Sequence, residues 1–164
     1  MQKSYYDALA RPFETNEKRK HVLLAANRVV TIAFYVIYPA MLVILLILGD
    51  PRFAQILLVP VISFILVTIF RRIVNAKRPY EVWGEQPLIE KETAGRSFPS
   101  RHVFSAFMIA MAMLWINIPA GIVLMAAGAF LAVARVIARV HFLRDVVAGA
   151  LIAVGLGILG FYVF

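Results

Sequence analysis

The sequence predicts an all-α, polytopic membrane helix bundle of about five transmembrane helices plus an N-terminal interfacial helix. Of its 164 residues, 62% are hydrophobic and only 16% are charged, against about 25% in an ordinary soluble domain. Residues 29–49, 53–70, 103–134 and 146–164 contain no Asp, Glu, Lys or Arg at all. A chain this short has no interior that could bury four such runs away from water. The composition therefore excludes a soluble enzyme and a nucleic-acid-binding domain, despite the net charge of +8.

The apolar runs divide into five predicted spans of one membrane-embedded domain. A helix needs about 20 apolar residues to cross the hydrocarbon core, and turn-forming residues at 49–52 and 117–121 separate neighbouring runs. Strands are excluded because the runs do not alternate and a five-stranded barrel could not close in lipid. Within a single domain of residues 1–164, the predicted spans are 29–48, 53–70, 101–116, 120–139 and 144–164.

The segment before the first span, residues 1–28, is predicted to form an interfacial helix that breaks at Arg11-Pro12. A disordered tail is the alternative. This segment carries six basic residues outside any motif, whereas the turn between the first two spans carries only Arg52. The positive-inside rule then predicts a multi-pass protein of the cell membrane with a cytoplasmic N-terminus. If residues 1–28 instead enter the bilayer as a sixth element, the orientation argument changes.

The segment between the second and third spans, residues 71–100, is predicted to be a functional loop, because loops of this length in compact proteins carry function or are disordered. Arg71 and Arg78 are seven residues apart, so they would share a face if the second helix continues as far as Pro79. Ser100 is a suitable N-cap for the third span, and the free amides of that first turn favour an anion.

A third polar cluster, consisting of Arg135, His141 and Asp145, lies between the fourth and fifth spans. His141 and Asp145 are four residues apart, so on a helix the carboxylate could accept a hydrogen bond from the imidazole. Taken singly, each of these groups has a structural explanation, such as an arginine reaching for the interface or a capping serine. Together with His102, however, they lie at span ends that the number of crossings places on one face. That combination could hold an oxyanion beside a nucleophile and an acid.

The order and spacing of these residues resemble the three signature motifs of the type 2 phosphatidic acid phosphatase superfamily, which also contains the vanadium haloperoxidases. The first motif, Lys, six residues, Arg-Pro, corresponds to residues 71–79, and the second, Pro-Ser-Gly-His, to residues 99–102. The third motif, Ser-Arg, five residues, His, three residues, Asp, corresponds to residues 134–145. The resemblance covers about residues 71–145, and three correctly ordered motifs are a specific signal.

Three positions depart from the motifs. Arg71 replaces Lys, which keeps the charge and offers a bidentate grip on phosphate. Arg101 replaces Gly, whose backbone freedom Arg lacks, although the amide can still donate and the side chain adds a cation. Ala134 replaces Ser and loses a hydroxyl group. None of these changes removes a nucleophile or a proton-transfer group.

The resemblance implies an integral membrane lipid phosphatase that acts on a phosphomonoester or pyrophosphate lipid. Phosphatidic acid, phosphatidylglycerol phosphate and undecaprenyl pyrophosphate are the candidate substrates. The resemblance implies that His141 attacks phosphorus to form a phosphohistidine, Asp145 orients His141, and His102 protonates the leaving oxygen. It implies no cofactor and no metal, because a cationic cluster takes the place of Mg²⁺. The implied phosphate-binding residues are Arg71, Arg78, Ser100, Arg101 and Arg135.

Two other functions remain open at this point: a catalytically degenerate scaffold or lipid-binding protein of the same fold, and a transporter or flippase that binds phosphate headgroups. A haloperoxidase is not expected, because those members are not built from membrane spans. The expected partners are the lipid substrate and membrane lipids. The small residues Gly149, Ala153 and Gly157 are expected to pack within the bundle, with a homodimer contact as the alternative.

Overall fold

The computed structural model describes residues 3–89 and 94–163, and every regular element within those ranges is helical. A π-helical turn over Leu159–Val163 follows the last α-helix. The predicted all-α fold is confirmed. The helices are α1 (Lys3–Glu14), α2 (Glu17–Ile47), α3 (Phe53–Val74), α4 (Pro79–Trp83), α5 (Arg101–Ile116), α6 (Ile118–Ile137) and α7 (Leu143–Ile158).

Four helical segments of the described chain are long and apolar enough to cross a membrane. They are Glu17–Ile47, Phe53–Trp83 (α3 and α4 taken together), Ile118–Ile137 and Leu143–Val163 (α7 with the π-helical turn). The fifth apolar helix, α5, has only 16 residues and lies in the centre of the bundle, where seven of them are buried. Many large apolar side chains of α2, α3, α6 and α7 point outwards instead, as a lipid-facing surface requires. The chain is a multi-pass membrane helix bundle, in agreement with the predicted class.

The N-terminal region differs from the sequence-based prediction in where its helix breaks. The break predicted at Arg11-Pro12 is wrong, because α1 continues through Pro12 to Glu14. The chain turns at Asn16 instead, whose side chain accepts the Arg19 amide at 3.1 Å and caps α2. As a result α2 begins at Glu17, twelve residues before the predicted span.

Helix α1 is fastened to the rest of the protein by a buried tyrosine. Tyr6 is fully buried, and its ring packs against Trp83 and Phe142 with centroid distances of 5.1 and 5.8 Å. Its hydroxyl accepts the Leu143 amide at 3.0 Å, at the start of α7, and burial raises the pKa of this phenol. Helix α1 therefore supports the turn between α6 and α7.

The small residues of α7 face α5 inside the chain. Gly149, Ala153 and Gly157 are all buried. A Cβ atom on Gly149 would lie 2.7 Å from the carbonyl oxygen of Ser100, and one on Gly157 would lie 2.8 Å from Cβ of Met111. The stripe is thus an intramolecular helix contact, as expected, and it gives no support to the homodimer alternative.

Candidate active site

A polar cavity of about 350 Å³ opens at the end of the bundle where α3 and α6 end and α5 and α7 begin. It contains five of the eight predicted site residues: Arg71, Arg78, Arg101, His102 and His141. The described residues that line it are Thr68, Arg71, Arg72, Arg78, Ala94, Gly95, Arg96, Arg101, His102 and His141. The described part of this lining is strongly cationic, which favours an anionic ligand.

His141 and Asp145 lie together, but not as a pair on one helix. His141 is in the turn before α7, and Asp145 is in the first turn of α7, where its Oδ2 accepts the Phe142 amide at 3.0 Å. That capping contact explains why the helix starts only after His141. The distance from His141 Nδ1 to Asp145 Oδ2 is 3.6 Å, and both side chains are almost fully buried.

Ser97 lies between these two groups, although it is not one of the predicted site residues. Its hydroxyl lies 3.3 Å from His141 Nδ1 and donates to Asp145 Oδ2. Ser97 is fully buried, and its backbone amide donates to the carbonyl of Ala76 at 2.8 Å. Nothing in the local sequence distinguishes this serine from an ordinary loop residue, because its partner Asp145 is 48 positions away.

The other ring nitrogen of His141 faces a guanidinium group. Nε2 lies 3.4 Å from Arg78 Nη1. Because a guanidinium carries only donors, this contact assigns the lone pair to Nε2 and the proton to Nδ1, beside Ser97 and Asp145. The nitrogen with the lone pair is therefore the one that can attack an electrophile.

The backbone path that brings Arg78 next to His141 differs from the predicted one. Helix α3 does not continue to Pro79 but ends at Val74, where Asn75 adopts a left-handed conformation with φ of 41°. Arg78 instead precedes α4, and it donates to the carbonyls of Gly95 and Val140, both at 3.0 Å. Two hydrogen bonds to the main chain thus orient its guanidinium against His141.

Arg71 also lines the cavity, but its side chain binds main-chain carbonyls. Nη1 donates to Pro99 and, at 3.4 Å, to Ser97, while Nη2 donates to Arg96. The two-pronged contact that was expected with phosphate is therefore made, in this structure, with main-chain carbonyl groups of residues 96–99. Arg71 holds in place the loop that carries Ser97.

Ser100 and Arg135 are buried beside the cavity and do not line it. Ser100 occupies the predicted N-cap position of α5, but its side chain makes no capping bond, and its amide donates to the Asp145 carbonyl at 2.8 Å. Ser100 Oγ and Arg135 Nε have no hydrogen-bond partner among residues 3–89 and 94–163. Buried polar atoms are rarely left unpaired, so these two are suited to a ligand oxygen or a water molecule.

Arg101 and His102 form the boundary between the cavity and an apolar groove. Both also line an adjoining pocket that contains Tyr35 and Phe64, and the Arg101 guanidinium lies 5.4 Å from the centre of the Phe64 ring. From there the groove continues between α2, α3 and α5, past Tyr38, Pro39, Pro60 and Met108 among others. A polar head and an apolar chain could thus occupy connected spaces.

No three His, Asp or Glu side chains converge on a metal-binding arrangement within the described ranges.

Comparisons with known proteins identify the fold. The profile of the PAP2 superfamily matches residues 52–164. The chain is similar in structure to LpxE of Aquifex aeolicus, with a TM-score of 0.76 and 23% identity over 96% of this chain and 92% of that one. It is also similar to the first transmembrane PAP2-type phosphatidylglycerolphosphate phosphatase from Bacillus subtilis, with a TM-score of 0.69 and 19% identity over 95% and 82% of the two chains. No curated protein matches it in sequence.

Proposed function

The chain belongs to the PAP2 superfamily, and we propose that it is a membrane lipid phosphatase acting on a phosphomonoester or pyrophosphate lipid through a phosphohistidine. One observation carries this proposal. His141 Nε2 faces an arginine-lined cavity, while its Nδ1 is held by Ser97 and Asp145. This is the arrangement of an attacking imidazole that a hydrogen-bonded serine and carboxylate hold in one orientation.

The first step transfers the phosphoryl group to the protein. His141 Nε2 attacks phosphorus and forms an N–P bond, while the bond from phosphorus to the leaving oxygen breaks. His102, in the first turn of α5 and lining the same cavity, gives a proton to that oxygen. The proton on Nδ1 remains on the ring and points towards Ser97, and the negative charge of Asp145 stabilises the positive ring.

The second step releases phosphate. A water molecule attacks the phosphohistidine, His102 takes up its proton, and the N–P bond breaks to restore His141. Both steps develop negative charge on the phosphoryl oxygens. Arg78, Arg135, the Arg101 amide and Ser100 would bind those oxygens, and removal of one such donor typically costs about 10²–10³ in rate. Fixed cations of this kind serve where other phosphoryl-transfer enzymes use Mg²⁺.

The groove beside the cavity supports a lipid rather than a water-soluble substrate. It opens between helices whose outer surfaces are apolar, so a hydrocarbon chain could occupy it while the phosphate lies at His141. We place the protein in the cell membrane with the N-terminus in the cytoplasm, because of the six basic residues before the first span. The active-site cavity would then also face the cytoplasm if there are five spans.

The experiment measures phosphate release by purified protein in detergent from phosphatidic acid, phosphatidylglycerol phosphate and undecaprenyl pyrophosphate. His141→Ala should lower kcat by at least about 10³-fold. The matched control is His21→Ala, which changes an exposed histidine of α2. Quenching at alkaline pH should trap phosphoprotein in the wild type and not in His141→Ala.

Two results would contradict the proposal. Full turnover by His141→Ala would exclude the phosphohistidine. No release from any lipid by folded wild-type protein would favour the catalytically degenerate scaffold.

A further inference from the structure

Building on the proposed function, we propose that Arg101, together with Arg72 and Arg96, forms a second phosphate subsite. The substrate would then carry two phosphate groups, with the terminal one at His141 and the inner one beside Arg101.

The five arginines of the cavity fall into two groups. Arg71 and Arg78 are buried, and their donors are engaged by main-chain carbonyls. Arg72, Arg96 and Arg101 are exposed at the cavity wall, and their guanidinium groups make no hydrogen bond or ion pair with the described residues. The outer three therefore have donors available that the fold does not use.

Among the described residues, the positive charge at the cavity exceeds what one phosphate needs. The carboxylates of Asp145 and Glu81 bond residues at the cavity, and the described lining has five guanidinium groups, an excess of three positive charges over these two. The charges of Arg78, Arg96 and Arg101 all repel that of Arg71. A phosphomonoester carries about −1.5 to −2 at neutral pH. An inner phosphate adds about one more negative charge and removes the rest of the excess.

In the protein, Arg101 lies between His141 and the apolar groove, and in such a substrate the inner phosphate lies between the terminal phosphate and the chain. Arg101 lines both the cavity that contains His141 and the pocket that leads into the groove. In a lipid with two phosphates, the inner one lies between the terminal phosphate and the chain. An inner phosphate therefore reaches Arg101 when the terminal phosphate is at His141 and the chain is in the groove.

The cavity has room for both groups, and Arg101 is held where the second must lie. If each phosphate oxygen takes about 30 Å³, as a water molecule does, one phosphate fills roughly 120 Å³, against about 350 Å³ available. The Phe64 ring, 5.4 Å from the guanidinium carbon, keeps the Arg101 side chain at the mouth of the cavity through a cation–π contact. The second motif of the family has glycine here, so this side chain is an addition.

The test compares substrates with one and two phosphates on the same chain. Phosphate release is measured from farnesyl phosphate, farnesyl diphosphate and a short-chain phosphatidylglycerol phosphate, with wild type, Arg101→Gln and Arg101→Lys. The matched control is Arg52→Gln, since Arg52 also lies over an aromatic ring, that of Trp115 at 5.9 Å, but it precedes α3 at the opposite end of the bundle and does not line this cavity.

Arg101→Gln should raise KM about 10-fold or more for a substrate with two phosphates, and the loss in kcat/KM should be clearly smaller for farnesyl phosphate, which has no inner phosphate. Arg101→Lys should restore part of the loss. An effect confined to farnesyl diphosphate would identify adjacent phosphates as the preferred class, and one confined to phosphatidylglycerol phosphate would identify phosphates separated by glycerol. Equal losses on all three substrates, or no loss on any, would overturn the proposal.

Anion binding at the second subsite can also be measured without turnover, as a change in Tm. Inorganic pyrophosphate should raise the Tm of the wild type more than inorganic phosphate at equal concentration, and this difference should disappear in Arg101→Gln. Equal shifts from the two anions would contradict the second subsite. Failure of the proposed function would appear differently, as absence of phosphate release by the wild type from every substrate.

Discussion

Replacement of Ser97 by alanine is the most informative perturbation of the proposed nucleophile. The change removes a hydroxyl that lies 3.3 Å from His141 Nδ1 and donates to Asp145 Oδ2. The carboxylate keeps the Phe142 amide at 3.0 Å and remains 3.6 Å from the imidazole. Ser97→Ala should therefore weaken the orientation of His141 without abolishing it.

The magnitude follows from the type of bond that is lost. A hydrogen bond to a charged group contributes about 1.5–3 kcal/mol, and about 1.4 kcal/mol corresponds to tenfold in rate. The expected fall in kcat is thus about 10- to 150-fold, less than for His141→Ala. KM should change little, because Ser97 does not line the cavity that would bind the phosphate.

The assay measures kcat and KM for phosphate release, and the Tm of each variant is measured beside it. Ser63→Ala is the matched control, because Ser63 is also buried but lies within α3 and does not line the cavity. An unchanged kcat in Ser97→Ala would show that His141 and Asp145 need no bridge. A raised KM with an unchanged kcat would show that Ser97 serves substrate binding instead.

Three further predictions concern packing, metal dependence and topology. Gly149→Ala should lower the Tm by several degrees because its Cβ would lie 2.7 Å from the Ser100 carbonyl oxygen, whereas Gly155→Ala, with open space around it, should not; equal Tm values would refute this. Activity should survive EDTA and be inhibited by orthovanadate, and a strict dependence on Mg²⁺ would contradict the proposed mechanism. The chain has no cysteine, so Gln86→Cys should label from the cytoplasmic side and Leu48→Cys from the outer side with an impermeant thiol reagent; the reverse pattern would invert the topology.

The membrane fold could be predicted because its signal is local. Runs without charge are recognisable in any window of about 20 residues, and the turns at Gly49-Asp50 and Asn117 separate them clearly. The start of α2 could not be found this way. Helix α2 begins twelve residues before the apolar run. Its start is set by the capping contact of Asn16, which is a less conspicuous signal in the sequence than Pro12.

The sequence indicated five residues that line one cavity in the structure, but not how they are arranged there. The spacing of His141 and Asp145 suits a helix pair, but it equally suits a carboxylate that caps the next helix, and the structure has the second arrangement. Ser97 and the partners of Arg71 depend on the path of residues 96–99 across the bundle. Contacts between residues 25 to 50 positions apart leave no periodic pattern in the sequence.

The groups that bond each buried arginine indicate whether it could bind an anionic ligand or only stabilises the fold. Arg78 is bonded to the carbonyl oxygens of Gly95 and Val140, which satisfy its donors without cancelling its charge. Arg139, two residues before His141, is equally buried but pairs with three carboxylates, those of Asp7, Glu14 and Glu85. Its charge is neutralised, and its contacts fasten α1 to the turn between α6 and α7. Lys3 also bonds Glu85, and this hydrogen bond lowers the pKa of that carboxyl group.

Charge alone therefore does not mark the phosphate-binding arginines at this end of the bundle. A buried cation attracts an anionic ligand only when neutral groups satisfy its hydrogen bonds, because carboxylate partners would already supply the counter-charge. By this criterion Arg71 and Arg78 retain their attraction for a phosphate, and Arg139 does not. Arg139→Gln should accordingly loosen α1, whereas Arg78→Gln should remove phosphate binding while α1 stays docked.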